Sequence, residues 1–382
     1  MRIALVSPRF PPYRGGVEAH VSHLSRELAS RGHEVTVFTQ HEASAPRAWA
    51  ARGVEVRSFP IRIGKKAYPL APGLWSALLR HGGRYDIVHA HSYHGLAALA
   101  GGFCHRRPFV FTPHYHGTGH TRLAQAFHCA YRPFGRALLA RASQIVCVSN
   151  AERQRLIDDY PTVAQKTLVV PNGVALSESA VPRAWESRTN TVVYIGRLEP
   201  YKRVDVILSA LHVLAADVRL VIVGTGSDKA RLSAEVERLH LAGRVTFCGG
   251  LSDDALAAIL ADARVLVTAS KHEAFGLVIL EARQAGARVV ASALDAHREV
   301  ADLDHAGGVH LWSPDTGAGG LARTIHGALT NVDPGSLGSV LPRWPDVAAA
   351  TEEVYRIAFG TATPRRLAAA SGPAAPGKEG GP

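Results

Sequence analysis

Arg197 and Lys202 stand five residues apart in the run Gly196-Arg197-Leu198-Glu199-Pro200-Tyr201-Lys202-Arg203. The run follows a β-rich segment, at the strand end where α/β sheets bind ligands. An Arg and a Lys placed so can clamp two phosphates, each charge-assisted hydrogen bond contributing about 1.5–3 kcal/mol. An exposed basic loop is the bland alternative. A second group lies in His272-Glu273-Ala274-Phe275-Gly276-Leu277-Val278-Ile279-Leu280-Glu281. The spacing predicts a helix from near Phe275, apolar nearly all round and therefore buried. Glu281 falls in its second turn. A buried carboxylate is costly unless hydrogen-bonded, and sugar hydroxyls such as those of a ribose suit it. Glu273 precedes the helix, where the Phe275 and Gly276 amides face a ligand. An acid offsetting the helix dipole would explain Glu273 but explains Glu281 poorly.

Three weaker signals accompany these. Gly15-Gly16, in Pro12-Tyr13-Arg14-Gly15-Gly16-Val17-Glu18, would let an anion approach the amides of a helix N-terminus, or would simply make a tight turn. His89-Ala90-His91, His94 and Thr112-Pro113-His114-Tyr115-His116 have a His-x-His spacing that zinc could use. No Cys, Asp or Glu lies near except Asp86, so the metal reading is set aside. His114, after a strand, reads as a polar contact to substrate or as a structural interior histidine. Val223-Gly224-Thr225-Gly226-Ser227-Asp228-Lys229 lacks the third glycine of a dinucleotide fingerprint. It reads as a glycine turn lining the same crevice.

The elements that must position these residues alternate strand and helix. Strands are predicted at 2–7, 34–39, 54–59, 86–89, 109–112 and 144–148, and again at 191–195, 219–223, 244–247, 264–268 and 288–291. Val17, Val21, Leu24 and Leu28 mark a helix ending near Gly32. The polar stretch 175–190 reads as a linker. This is an α/β chain of two Rossmann-like, doubly wound parallel-sheet domains facing across a cleft. The first spans 1–175 and the second 190–345. A helix at 346–360 lies near the domain junction, and a tail rich in Gly, Pro and Ala at 361–382 is expected to be disordered.

With 382 residues, 47% hydrophobic and 20% charged, the chain has a full globular core. Disordered and disulfide-stapled classes are excluded, and no apolar run is long enough for a spanning helix. Met1-Arg2-Ile3-Ala4-Leu5-Val6-Ser7 does not read as a signal peptide. Four scattered cysteines, Cys104, Cys129, Cys147 and Cys248, read as reduced and buried in a cytoplasmic protein. The net charge of +11 is concentrated. Residues 61–150 hold eleven Arg and Lys and one acid, Asp86, while the rest of the chain holds 32 bases and 31 acids. Such a patch attracts phosphates, anionic lipid or nucleic acid. Arg62, Lys65, Lys66 and Arg80, with Tyr68, Leu74 and Trp75 as apolar anchors, would form a face for an anionic membrane.

Together these residues resemble the retaining glycosyltransferases of family 4, with the GT-B architecture, over roughly Met1 to Phe359. The matching pieces are Gly15-Gly16-Val17-Glu18, Thr112-Pro113-His114, Val148-Ser149-Asn150, Pro171-Asn172-Gly173-Val174, Gly196-Arg197-Leu198 with Lys202, Gly224-Thr225-Gly226, and Glu273-Ala274-Phe275-Gly276 through Glu281-Ala282. The resemblance implies a nucleotide-diphosphate-sugar donor (GDP or UDP; mannose, glucose or N-acetylglucosamine type) in the second domain. The acceptor, a glycan, lipid or small molecule, would lie in the first. Arg197 and Lys202 would hold the diphosphate and Glu281 the ribose. Glu273, with the amides of Phe275 and Gly276, would orient the sugar beside Leu277. Gly224 and Gly226 would line the donor site. His114 would reach the sugar from the first domain, and Gly16 would approach the phosphates or acceptor. No metal or other cofactor is implied, and no nucleic acid. The expected location is cytoplasmic, peripheral on the inner face of the plasma membrane. One departure touches the donor-sugar environment: a Gly-Gly pair common in the family is replaced in Leu294-Asp295-Ala296-His297-Arg298-Glu299. Competing readings are a sugar-nucleotide epimerase of the same architecture, a basic nucleic-acid-binding protein and, disfavoured by the failed fingerprint, an NAD dehydrogenase.

Overall fold

The computed structural model describes residues 1–42, 53–64, 69–104, 107–115, 117, 122–174, 184–330 and 341–361, with the backbone alone for 122–129. The predicted tail from 362 onward and most of the predicted linker lie outside the described residues. The first half runs β1 (Arg2–Val6), α1 (Gly16–Ser30), β2 (Glu34–His41), β3 (Val54–Pro60), α2 (Pro72–His81), β4 (Ile87–His91), α3 (Leu96–Phe103), β5 (Phe109–Thr112), α4 (Arg122–Arg141), β6 (Gln144–Cys147), α5 (Asn150–Asp159) and β7 (Thr167–Val169). These strands form one parallel sheet in the order β3-β2-β1-β4-β5-β6-β7.

The second half runs β8 (Thr189–Ile195), α6 (Val204–Val213), β9 (Arg219–Val223), α7 (Lys229–Arg238), β10 (Val245–Gly249), α8 (Asp253–Asp262), β11 (Ala263–Thr268), α9 (Leu277–Gln284), β12 (Arg288–Ser292), α10 (Asp295–Leu303), β13 (Val309–Trp312), α11 (Gly317–Thr330) and α12 (Trp344–Ala358). Its strands form a second parallel sheet, β10-β9-β8-β11-β12-β13. Helices cover both faces of each sheet, so interior runs such as Ile3-Ala4-Leu5-Val6 and Val265-Leu266-Val267 are buried. Strands β7 and β13 go beyond the sequence reading. One has three residues and the other is half-buried along most of its length, so neither shows an unbroken apolar run.

In both sheets the order in which strands are added reverses once, between β1 and β4 and between β8 and β11. A ligand crevice opens at the carboxyl ends of strands at such a point. The last helix, α12, returns to the first sheet. Trp344, Val347, Ala348, Val354 and Tyr355 share a core with Val21, Leu24 and Leu28 of α1 and Ile3 and Leu5 of β1. The two chain crossings between the halves lie side by side. Val174 pairs in parallel with Arg343, and the Val174 amide donates to the Pro342 carbonyl at 2.8 Å.

Tyr355 fixes α12 to the sheet through a buried hydrogen bond, its hydroxyl 2.9 Å from His89 Nδ1. Tyr355→Phe keeps the packing and strands that nitrogen, which should destabilise the fold by about 1–3 kcal/mol. Urea unfolding of the full chain measures this. A variant within about 0.5 kcal/mol of the parent, the range of neutral surface changes, would count against this anchoring.

Candidate active site

The second sheet's reversal point collects most of the sequence-predicted residues. Arg197 leaves β8, while Ser270 and Glu273 leave β11. The Lys202 Nζ donates to Glu273 Oε1, and Ser270 Oγ donates to the same oxygen at 3.0 Å. Both charged side chains are largely covered, at 15% and 19% exposure. Burial works against the Lys202 charge, but the adjacent Glu273 carboxylate outweighs it and raises the ammonium above its ordinary range. Arg197 Nη2 donates to the Tyr201 hydroxyl at 2.8 Å. Burial opposes its charge as well, and the Tyr201 phenol together with the acid Glu18, on α1 across the cleft, overcomes this.

Gly224 and Gly226 lie against the loop that carries Arg197. A Cβ on Gly224 would overlap the Gly196 carbonyl, and one on Gly226 would overlap Leu198. The Leu198 amide donates to Thr225 O at 2.9 Å, and the Asp228 amide to Leu198 O at 2.9 Å. This close approach accounts for both glycines as a brace that sets the Arg197 loop.

Helix α9 starts at Leu277 rather than Phe275, because Gly276 takes a left-handed turn with φ 104° immediately before it. Phe275 is buried, and Leu277 packs against the cores of both halves. Glu281 is half-buried. Burial, and secondarily the charge of Asp253, push its carboxyl up to about 7. The stretch that departs from the family pattern does two separate things. His297 is fully buried beside Gly276, and its Nδ1 donates to Ser292 O at 2.8 Å. Glu299 turns away from the donor side to cap α5 of the first half. It accepts from the Asn150 amide at 2.7 Å, from Asn150 Nδ2 at 2.8 Å and from the Ala151 amide at 3.1 Å. Ser149 Oγ donates to Ala274 O at 2.7 Å in the same seam.

The first half faces this group with its own carboxyl ends. Gly16 opens α1 and is exposed, with open space where a Cβ would stand. His114 follows β5 in a left-handed conformation, φ 48°, and is buried. The next amide, of Tyr115, donates to Glu152 Oε1 at 2.6 Å, and Val148 N donates to Oε2 at 2.7 Å. Burial, against those two amides, pushes the Glu152 carboxyl up to about 7. His114 does not stand alone. His20 of α1 and His91 of β4 lie with it, ring centroids 5.1–5.8 Å apart. The sequence reading misses His20, although its place on the α1 stripe with Val17, Val21 and Leu24 marks it as inward-facing. Burial lowers His20 to about 4, against the bond from Asn172, and holds His91 well below the ordinary range.

The proposed membrane anchors need correction. Leu74 is 1% exposed and belongs to the first core, because α2 turns that face onto the sheet. Trp75 is half-buried against the same core. Lys65, Lys66 and Tyr68 lie outside the described residues.

The family description Glycosyltransferase Family 4 matches residues 14–178, and Glycosyl transferases group 1 matches 178–331. The phosphatidyl-myo-inositol mannosyltransferase of Mycolicibacterium smegmatis is 31% identical over 86% of this chain and 85% of its own length. The chain belongs to the family 4 glycosyltransferases. The D-inositol 3-phosphate glycosyltransferase of Kineococcus radiotolerans is 30% identical, covering 93% of this chain and 95% of that one. Among solved structures, sucrose-phosphate synthase of Thermosynechococcus elongatus has a TM-score of 0.75 at 22% identity, over 94% of this chain and 100% of that one. Anabaena HepE in complex with UDP-glucose has a TM-score of 0.72 at 21% identity, over 94% and 98%. These likenesses establish the GT-B fold of this glycosyltransferase.

Glu281 gives the site a pH signature. Its folded pKa lies above the ordinary 4.5, at about 7. Between those values the fold retains a proton that the unfolded chain releases, so its contribution lowers stability as pH rises through that window. Glu281→Gln should flatten this part of the pH profile and gain stability relative to the parent above about pH 7. Denaturant midpoints from about pH 5 to about pH 8 measure it. Parallel curves for variant and parent would contradict the assignment, and Glu152, common to both, cancels in the comparison.

Proposed function

We propose that this glycosyltransferase is a retaining hexosyltransferase that moves a mannose-, glucose- or N-acetylglucosamine-type sugar from a GDP or UDP donor to an acceptor hydroxyl. The observation that carries the reading is the cation pair at the second reversal point. Arg197 and Lys202 lie near each other with Glu273 on Lys202, and the carboxyl of Glu281 on α9, raised by burial, suits a ribose. Arg197 and Lys202 take the diphosphate. Glu273, the Phe275 and Gly276 amides and Leu277 orient the sugar, while His114 meets it from the first half. Gly16, with room above it, admits the phosphates or the acceptor.

Transfer breaks the bond between the anomeric carbon and the diphosphate oxygen. Negative charge grows on the diphosphate and positive charge on the sugar ring. Fixed cations stabilise the first where it develops. The acceptor oxygen forms its bond on the same face, its proton passes to the departing phosphate oxygen, and the anomeric configuration is kept. Two side-chain cations supply the charge that a divalent metal would otherwise bring, so the reaction is proposed to need no metal. Closing the halves excludes water and limits donor hydrolysis.

For the acceptor we propose an anionic polyol phosphate, free or lipid-linked. The excess positive charge of residues 61–150 and the inositol phosphates named for both relatives support this reading. Exposed Ile63 and Leu79 adjoin Arg62 and Arg80, which suits docking on an acidic membrane from the cytoplasmic side. No helix among the described residues is long and apolar enough to cross a membrane.

Lys202→Ala and Glu281→Ala should each lower turnover about 10- to 100-fold, the equivalent of one charge-assisted hydrogen bond, in protein that remains folded by circular dichroism. A panel of nucleotide diphosphates and their sugars in thermal shift identifies the donor, and near-normal rates in both variants would remove the site assignment. Vesicle sedimentation tests the surface. Arg62→Glu with Arg80→Glu should weaken binding to acidic vesicles, each basic residue near the surface contributing about 1 kcal/mol. Equal binding of the parent to neutral vesicles would reject membrane docking by charge.

A further inference from the structure

The imidazoles of His20, His91 and His114 bring one nitrogen each to a common point, all within 4.8 Å of one another. They come from three elements, α1, β4 and the turn after β5, that converge at the first sheet's reversal point. The three residues are 3%, 0% and 8% exposed. Both ring nitrogens of His91 are buried with no hydrogen-bond partner among the described residues, which is costly for a group that always carries a donor or an acceptor. His20 Nδ1 lies 2.6 Å from Asn172 Oδ1. That oxygen only accepts, so Nδ1 bears the proton and the Nε2 lone pair is left for a ligand. A carbonyl oxygen holding the far nitrogen of a histidine is the usual outer support of a metal ligand. His89 packs against His91, ring centroids 4.3 Å apart, but has both nitrogens engaged, by Tyr355 and Thr112. It props the cluster and does not join it.

We propose that His20, His91 and His114 form a site for a borderline divalent transition metal such as Zn²⁺, and that filling it withdraws His114 from the sugar and suppresses transfer. Three neutral imidazoles suit zinc, cobalt or nickel and not magnesium, which takes oxygen ligands. Bonds of about 2.0–2.1 Å require the three rings to draw together, which side-chain rotation can supply. Three ligands leave one tetrahedral position for water or a hydroxyl. The site and the reaction then compete for one imidazole: with metal bound, the His114 nitrogen is coordinated, while Arg197, Lys202 and Glu281 in the other half still hold the nucleotide.

The binding half of the proposal is independent of the transferase reading, and the inhibitory half rests on it. Metal-stripped full-length protein is titrated with Co²⁺ in the absence of nucleotide. One equivalent should bind with the visible absorption of a four-coordinate nitrogen site, be displaced by Zn²⁺, and be unaffected by Mg²⁺. His91→Asn and His20→Gln should each abolish that equivalent, and Asn172→Leu should weaken it about 10- to 100-fold. No stoichiometric band in the parent protein, or a band that survives in both histidine variants, overturns the site. Zn²⁺ should then lower turnover, with recovery on chelation and no loss of the nucleotide thermal shift. Full turnover with the site filled overturns the inhibitory role. A chain with no transferase activity at all would defeat the transferase reading and leave the cobalt titration to decide the site.

Discussion

The Lys202 ammonium resting on the Glu273 carboxylate sets the terms for the rest of the molecule. Both groups are mostly shielded from water, and an isolated charge in either place would be strongly disfavoured. Paired, they keep each other ionised in the absence of a ligand. Under the proposed function, a diphosphate arriving beside Arg197 would offer Lys202 a stronger anion. On the same reading, Glu273 would keep its Ser270 contact and accept from sugar hydroxyls. One exchange of partners would then convert a self-satisfied ion pair into two binding groups of opposite sign. The brace of Gly224 and Gly226 matters because this exchange works only if the Arg197 loop stays in register with it.

The opposing half is tied to this centre by polar contacts at the rim and by packing at Leu277. Glu299 caps α5, Ser149 donates to Ala274, and Leu277 touches both cores. The Arg14–Asp253 pair, 3.4 Å apart with both side chains exposed, adds little in water. Because α12 belongs to the first core, the chain crosses between halves twice, and the crossings pair at Val174 and Arg343. Two short segments side by side permit rotation and resist translation. Under the proposed function, these paired crossings would be the hinge on which the halves close.

The alternation of short apolar runs with helical sequence is written into the chain because a doubly covered parallel strand must be apolar on both faces. That is why β1, β9 and β11 are legible from residues alone. Strands β7 and β13 are not, since an edge position or partial exposure removes the requirement. The meeting of Lys202 with Glu273 could be anticipated for a different reason: both stand just past buried strands of one sheet, β8 and β11, which are neighbours in it. Partners contributed from elsewhere in the chain were harder to see. Glu299 lies in the stretch that departs from the family pattern, and its contact with α5 depends on how the halves meet, which no local pattern encodes. His20 lay in plain view on the apolar stripe of α1. Its meaning appears only once β4 and β5 bring two more imidazoles to the same spot. Leu74 was misplaced because α2 has two apolar sides, and only the packed sheet decides which of them faces in.

His114 holds a conformation that costs a residue with a side chain about 1–3 kcal/mol unless its surroundings impose it. The surroundings here are specific. Glu152 accepts from the amide of Tyr115 after His114 and from that of Val148, just past β6, while Ser149 caps the helix that carries Glu152. The carboxylate has no exposed surface, and its hold on the turn follows from having few other partners. The two sides of the cleft are therefore built on opposite principles. On the first half a buried acid holds the backbone turn that carries His114. On the second, a lysine is paired with an acid that a ligand can replace. Under the proposed function, the diphosphate would replace Glu273 on Lys202 and bring the donor sugar toward a histidine whose backbone is already set.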